Sequence, residues 1–420
     1  MARNWPRLPA HETLEDAALA APAGWSVVPI EALYDQLPVG KRFEQKGTSD
    51  SGLVPVIDQS ADSVIGWHNE EPGIQASPQR PVVTFANHTC EMRVMRRPFS
   101  VIQNVFPLVG KPSVCSTGFL YYVTKGRVHL EEYKGHYPDF RRKWIPVPPL
   151  AEQHAIAEIL GTLDDKIELN RRMNDTLEAM ARALFKSWFV DFDPVRAKAE
   201  GRQPSGMDGE TAKMFPSEFV ESELGRIPKG WRVGTIGDLI AIHDAKRIPL
   251  SAREREQRRG RYPYHGATSV MDHIDGFLFD GTFVLVGEDG SVVTEAGLPF
   301  TQYVWGQFWV NNHAHVLSGL GGMSQEHLFL LLSQTNITAF VTGAVQAKLS
   351  QGNLRRIPTV VPPPAVSVRF GSAHADLFAR FRSNVEETRT LARARDELLP
   401  RLLSGELSVA NAASAMEAIA

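Results

Sequence analysis

At 420 residues, 43% hydrophobic and 22% charged, the chain has the composition of soluble globular proteins and the length for two to four compact units of about 100–200 residues. No stretch approaches the roughly 18 consecutive apolar residues of a membrane span, and the first residues carry Glu12, Glu15 and Asp16 where an export signal needs basic and then apolar residues; a cytoplasmic protein is expected. A formal charge of −3 argues against nucleic-acid binding by bulk electrostatics, and two cysteines, Cys90 and Cys115, without histidines at ligand spacing indicate neither a disulfide scaffold nor a zinc knuckle.

Taken in chain order, residues 1–23 form an N-terminal extension and a first head spans 24–150. It opens at Gly24-Trp25, followed by Ile30 and Leu33, continues through the strand-like runs Val54-Pro55-Val56 and Pro81-Val-Val-Thr-Phe85, and closes on Trp144-Ile-Pro-Val-Pro-Pro149. Between these lie the polar turn Asn87-His88-Thr89 and then Pro98-Phe99 and Asn104. A long helix is expected over 151–192. Positions 163, 167, 170, 174, 177, 181, 184 and 188 alternate four-and-three spacing, the seam of a coiled coil. Residues 193–229 read as a connector, because Gly201, Pro204, Gly206, Gly209, Pro216, Gly225 and Pro228 break any periodicity.

The pattern then repeats. A second head, 230–363, opens at Gly230-Trp231 with Ile236 and Leu239, carries Tyr262-Pro263-Tyr264 and Thr282-Phe-Val-Leu-Val286, turns at Glu288-Asp289-Gly290, passes Pro299-Phe300 and Asn311-Asn312, and closes on Arg356-Ile-Pro-Thr-Val-Val-Pro-Pro363. A second helix, 364–405, aligns with the first without a gap at an offset of about 214 positions. Leu163, Ile167, Asn170, Leu177, Leu184 and Trp188 meet Leu377, Phe381, Asn384, Leu391, Leu398 and Leu402. Two such helices in one chain are expected to pair, with the matched polar Asn170 and Asn384 fixing register. The tail, 406–420, is expected to fray.

Several chemistries are not supported. Neither a phosphate-binding P-loop nor a paired-glycine dinucleotide fingerprint occurs. Asp191-Phe-Asp-Pro194 resembles an amino-methyltransferase tetrad but lacks the final aromatic. Glu132-Tyr133-Lys134 with Pro138-Asp139 offers the parts of a magnesium nuclease in the wrong order. Glu288 and Asp289 read better as a turn than as a metal site, and His313 with His315 shows no third ligand, so no metal and no catalytic residue is assigned. Positive charge is clustered at Arg93, Arg96 and Arg97, at Arg141, Arg142 and Lys143, and at Arg253, Arg255, Arg258, Arg259 and Arg261. A self-contained methyltransferase or nuclease with a diverged motif, and a protein-interaction module built on the coiled coil, are the rival classes.

The run Ile145-Pro-Val-Pro-Pro-Leu-Ala-Glu-Gln-His154 into Ala155-Ile-Ala-Glu-Ile-Leu160 and Leu163-Asp-Asp-Lys-Ile-Glu-Leu-Asn170 resembles the conserved region of type I restriction-modification specificity subunits. So do Ala183-Leu-Phe-Lys-Ser-Trp188, Phe215-Pro-Ser-Glu-Phe219, Leu224-Gly-Arg-Ile-Pro-Lys-Gly-Trp231 and Arg395-Asp-Glu-Leu-Leu-Pro-Arg-Leu-Leu-Ser-Gly-Glu406. The resemblance implies an α+β fold of two mixed α/β target-recognition domains separated by two long antiparallel helices in a coiled coil, a pseudo-two-fold repeat. It implies a subunit without catalytic site or cofactor that reads a bipartite, asymmetric site on double-stranded DNA. Two methyltransferase subunits dock on the helices and two restriction-translocase subunits join them; S-adenosylmethionine, ATP and Mg belong to those partners. The second helix departs from the pattern, with Ala365-Val-Ser-Val-Arg-Phe370 in place of the Ala151-Glu-Gln opening.

Base edges are read by short-reach polar side chains on loops, and phosphates by Arg, Lys and backbone N–H groups. The candidate DNA contacts in the first head are Lys41, Arg42, Gln59, Ser60, His68, Asn87, His88, Thr89, Gln103, Asn104 and His136. In the second they are Arg247, His265, Thr268, Asp289, Ser291, Asn312, His313, Lys348, Ser350, Gln351 and Asn353. The loops differ between heads, so two different half-sites are expected.

Overall fold

The computed structural model describes residues 5–60, 64–130, 134–343 and 345–417. The chain forms two compact units, one from Met1–Arg171 with Val385–Ala420 and the other from Arg172–Asn384.

In the first unit a four-stranded antiparallel sheet has the order Tyr34–Gln36, Val105–Gly110, Val82–Ala86, Met92–Met95. One of its two inner strands, Val82–Ala86, is buried along its whole length, which is why it reads as an apolar run broken only by Thr84 and not as an alternation. A second sheet pairs Val54–Ile57 antiparallel to Val64–His68 and parallel to Ser100–Val101. The opening strand Ser26–Pro29 pairs with the closing strand Trp144–Val147. The helix Thr117–Thr124, capped by the Ser116 hydroxyl accepting from Phe119 N, packs Phe119, Leu120 and Val123 into the core.

The second unit repeats this plan. Its four-stranded antiparallel sheet runs Ile240–Ile242, Ala314–Gly319, Phe283–Gly287, Thr301–Val304. Arg259–His265 pairs antiparallel to Val270–Ile274 and parallel to Gln307–Val310, and the opening strand Arg232–Thr235 pairs with the closing Pro358–Val361. Ser324 caps the helix Gln325–Leu332 as Ser116 caps its counterpart. The likeness reaches backbone detail. Gly24 and Gly230 sit at φ +86° and +87°, with the following tryptophan N–H donating to the carbonyl two residues before the glycine, Pro22 O at 3.1 Å and Pro228 O at 3.0 Å. Gly110 and Gly319 end equivalent strands, where a Cβ would meet Cys115 O or Met323 O at 2.2 or 2.1 Å.

The two long helices are Leu150–Phe189 and Pro364–Leu403, 40 residues each, and each contributes to both units. Pro148 and Pro149 precede the first; it ends where Phe192 takes a left-handed conformation and buries its ring. Within the first unit, Asn170 Nδ2 donates to Glu387 Oε2 at 2.9 Å and Arg395 pairs with Asp164 at 2.7 Å. Within the second, Asn384 Nδ2 donates to Asn174 Oδ1 at 2.9 Å and Asn174 Nδ2 to Phe381 O at 3.2 Å. In the first unit the partner number falls from 395 to 387 as the first helix's number rises from 164 to 170, and in the second it falls from Asn384 opposite Asn174 to Phe370 against Phe185 and Trp188, so the helices run antiparallel.

Of the expected seam, Leu163, Ile167, Asn170, Trp188, Asn384, Leu398 and Leu402 are buried, and Leu177, Leu184, Leu377, Phe381 and Leu391 are half-buried. In the second unit Ala181, Phe185, Phe370 and Phe378 are buried beside Trp188, packed with Phe192, Val195, Phe215 and Trp231. A helix of 3.6 residues per turn drifts from a strict heptad, and here it must also bury a flank against the head. The apolar stripe is therefore wider than a two-position seam.

Three segments differ from expectation. The stretch 193–229 is ordered, with helices Asp193–Ala199 and Gly209–Lys213 and a hairpin pairing Phe219–Ser222 with Gly225–Pro228. The tail forms a helix, Val409–Glu417, with Ala412 buried in the first unit's core. The N-terminal extension also belongs to that core. Leu8 is buried, Trp5 stacks on the guanidinium of Arg395 at 4.8 Å, and the helix Leu14–Ala20 follows.

Candidate nucleic-acid interface

Both heads place polar turns where strands of the four-stranded sheet end. In the first, the turn after Val82–Ala86 is fixed by Asn87. Its N–H donates to Asn104 O at 2.9 Å, its carbonyl accepts from His136 N at 2.9 Å, and its Oδ1 accepts from Tyr137 N at 2.9 Å. Asn104 adopts φ +64°, which asparagine tolerates better than most residues. His88 N donates to Gln59 Oε1 at 2.9 Å and its ring Nδ1 to Lys134 O at 3.2 Å, while the Thr89 hydroxyl donates to Gln59 O. Ser60 bonds Asp58, and both receive the Arg93 guanidinium. Gln59, Ser60, Asn87, His88, Thr89 and Asn104 thus come together around one turn, with much of their hydrogen-bonding capacity spent inside the protein.

Two first-head candidates lie in the interior. His68 stacks on Phe43 at 4.1 Å between ring centroids, bonds Ser100 Oγ at 2.9 Å and accepts from Glu70 N at 3.1 Å. Burial lowers its pKa, so it is a neutral core histidine. His136 is 1% exposed. Neither reaches a base edge from there. Lys41 is exposed but held by Glu70 at 2.6 Å, Gln103 is exposed, and Arg42 is half-buried.

The second head builds its turns on charge. Asp244, in the short helix Asp244–Lys246, is 8% exposed. Its Oδ1 accepts from Val316 N at 2.9 Å; its Oδ2 accepts from His315 Nδ1 and from Gln351 Nε2, both at 2.6 Å. Burial would raise the Asp244 pKa, but these hydrogen bonds with His315 and Arg247 hold it below the usual carboxylate range. Arg247 donates to Glu288 Oε2 at 2.7 Å and Ala314 O at 2.7 Å. Its side chain is 11% exposed, so Arg247 serves the interior and not a phosphate. His265 is buried as well, with Nδ1 against Gln302 Oε1 at 3.0 Å.

His313 and His315 do not share a face. His315 is fully buried, whereas His313 lies before the strand, exposed and hydrogen-bonded to Asp289. Ser350 caps the helix Gln351–Arg356 by accepting from Asn353 N at 3.1 Å, and Asn353 Nδ2 donates to Phe340 O at 2.8 Å. Lys348 sits 3.7 Å from Glu288 with half its side chain exposed. Thr268, Ser291 and Asn312 are exposed. From the arginine run, Arg255 and Arg258 pair with Asp272 and Asp275, leaving Arg253, Arg259 and Arg261 exposed.

Asp244, Glu288 and His315 are the one group among the described residues whose ligand atoms fall within 4.8 Å of one another. The Arg247 guanidinium already lies against both carboxylates, so the cluster is neutralised by an organic cation and is not assigned a metal. Sequence reading missed this network because Asp244 is 71 residues from His315. A signal was present: a histidine interrupting the apolar run Ala314-His315-Val316-Leu317. Asp139 of the nuclease-like string is paired with Lys143 at 3.2 Å; Glu132 and Tyr133 lie outside the described residues. Burial pushes the Cys90 and Cys115 thiols up to about 12, away from nucleophilic or metal-binding use.

Gln153, in the Ala151-Glu-Gln opening, is 1% exposed. It accepts from Ser116 N at 3.0 Å and donates to Val114 O and Pro148 O, both at 2.9 Å. That signature residue therefore ties the helix start to the head, and does not form part of an outward surface. Ser367 stands at the matching position of the second helix and is also buried.

Two α+β heads of similar plan, the second with one more strand, Phe279–Asp280, beside Gln307–Val310, each joined to halves of the same two helices, define a duplicated chain. Its sequence matches the family described as type I restriction modification DNA specificity domain over residues 91–179 and 228–386. The chain belongs to that family, in which specificity is the role of this subunit and catalysis that of others. It is 28% identical to the type I restriction enzyme HindI specificity subunit of Haemophilus influenzae, over 63% of this chain and 69% of that one. It is 26% identical to the MjaIX specificity subunit of Methanocaldococcus jannaschii, over 75% and 74%. The fold is that of the type I restriction-modification S subunit from M. genitalium, with a TM-score of 0.58 and 15% identity across 90% of this chain and 96% of that one.

Proposed function

We propose that this chain selects the DNA target of a type I restriction-modification complex, each head reading one half of a bipartite, asymmetric site. The observation that carries this reading is the contrast between scaffold and loops. The strands, caps and closing pairs of the heads correspond, while the turn after the central strand is Asn87-His88-Thr89 in one and Glu288-Asp289-Gly290 in the other. A duplicated scaffold with unlike polar loops suits two unlike half-sequences. Gln103 in the first head, and Thr268, Ser291, Asn312, His313 and Lys348 in the second, are the candidates that keep exposed polar groups for base edges; Lys41, Arg253, Arg259 and Arg261 are placed to meet phosphates.

In this reading two methyltransferase and two restriction-translocase subunits complete the complex in the cytoplasm. They supply the sites for S-adenosylmethionine, ATP and Mg, none of which this subunit binds. An exposed run of small side chains, Ala365, Val368, Ser372, Ala375 and Ala379, follows one face of the second helix and suits close packing of a partner helix. Mapping methylated adenines in the host genome with and without the gene is the test. A split, asymmetric motif that disappears with the gene is expected; a methylome unchanged by its loss overturns the reading.

A further inference from the structure

The heads solve the same mechanical problem differently. Each must hold together turns that arrive from distant parts of the sequence. In the first head the link runs mainly through one residue: the Asn87 side chain and backbone join the turn to Asn104 and to residues 136–137, with a single Arg93–Asp58 pair at 3.1 Å beside it. In the second head the corresponding place holds a buried ionic cluster that touches four loops. Asp244 and Arg247 come from the first loop, Glu288 from the second, His315 from the start of the strand Ala314–Gly319 that follows the third, and Lys348 with Gln351 from the fourth.

The ring of His315 is fully buried, and each of its nitrogens faces an oxygen acceptor, Asp244 Oδ2 at 2.6 Å and Leu349 O at 2.7 Å. It therefore bridges the first loop to the fourth. Arg247 joins the first loop to the second and third through Glu288 Oε2 and Ala314 O. None of Asp244, His315 and Arg247 is exposed enough to meet a base. Yet Ser291, Asn312, His313 and Lys348, which lie within three residues of Glu288, His315 and Gln351, are surface candidates for reading DNA.

We propose that the Asp244–His315–Arg247–Glu288 cluster is the positioning device for the second head's reading loops, so that half-site discrimination by this head depends on a buried charge network that the first head does not share. This rests on the DNA-reading function proposed above. A buried network fixes geometry when every member is satisfied and loses it when one partner is removed. Asp244→Asn keeps the shape but turns the shared acceptor Oδ2 into a donor facing His315 and Gln351.

The test uses the full chain assembled with its methyltransferase partner, on duplexes carrying the mapped site with either half scrambled. Asp244→Asn is expected to lower discrimination at one half by about tenfold or more while leaving the other within about twofold. Amide exchange should quicken in residues 288–291, 311–313 and 348–351, with the helix Gln325–Leu332 still protected. Should Asp244→Asn not fold, Arg247→Lys, which keeps the cation but loses the fork, is expected to give the same pattern at about threefold. Equal losses at both halves, or loosened loops with discrimination intact, overturn the proposal. So does lost discrimination with exchange unchanged. A wild-type complex that discriminates at neither half refutes instead the underlying reading.

Discussion

At the scale of single residues, the most consequential group outside the loops is a pair of buried histidines. His327 and His374 lie among Phe185, Phe189 and Phe370 in the second unit, with His327 Nδ1 and His374 Nε2 lacking hydrogen-bond partners. Burial, reinforced by His374, pulls His327 down to about 3, and burial lowers His374 as well. Both are neutral in the folded state and titrate normally once unfolded. Their contribution is fully present above pH 6.5 and is lost as pH falls toward 3, with a slope of up to about 1.4 kcal/mol per pH unit for each proton taken up on unfolding. Denaturation midpoints measured from pH 7.5 to 4.5 should fall, and His327→Leu should flatten that fall. An unchanged pH profile in the variant would show that other groups govern acid sensitivity.

At the scale of elements, the helix pair carries polar groups in its interior. Asn384 is fully buried with its Oδ1 unpartnered, and its Nδ2 spends its bond on Asn174. Such asparagines lower stability while fixing register. The double replacement Asn174→Leu with Asn384→Leu is expected to raise stability by about 1–2 kcal/mol in chemical denaturation; a lowered midpoint would mean that the amide pair outweighs the burial it displaces. The long helices, the closing strands and the duplication were legible in sequence because periodicity and proline punctuation are local signals. The ordered segment 193–229 was not. Val195 and Ile227 are single apolar residues among breakers and Phe215 follows only Met214, so their common burial is what reveals them as core. The same limit misassigned His68, His136, Arg247 and His265: polar residues at turns look solvated until partners such as Ser100 and Glu288 are brought in from elsewhere.

For the molecule as a whole, the continuity of the two helices through both units gives the proposed bipartite reading a mechanical test. Since Asn174 is bonded to Asn384 and Phe381, an insertion after Thr176 is opposed by one after Phe381. A heptad placed in both keeps the seam in phase and adds about 10 Å of helix. Methylome mapping of this variant should return the same two half-sequences with a spacer longer by about two to three base pairs. An unchanged spacer would show that helix length does not set it.

The way the chain's ends are used has a consequence for how the protein is made. The second unit is one uninterrupted segment, Arg172–Asn384, whereas the first is assembled from Met1–Arg171 and the last stretch, Val385–Ala420. On a ribosome that releases the N-terminal part first, the first head emerges early but waits for Leu398, Leu399, Leu402 and Ala412 to complete its core. The second head has its whole sequence in hand before the chain is finished. A chain terminated before Val385 would therefore carry the whole of the second unit but an incomplete core in the first.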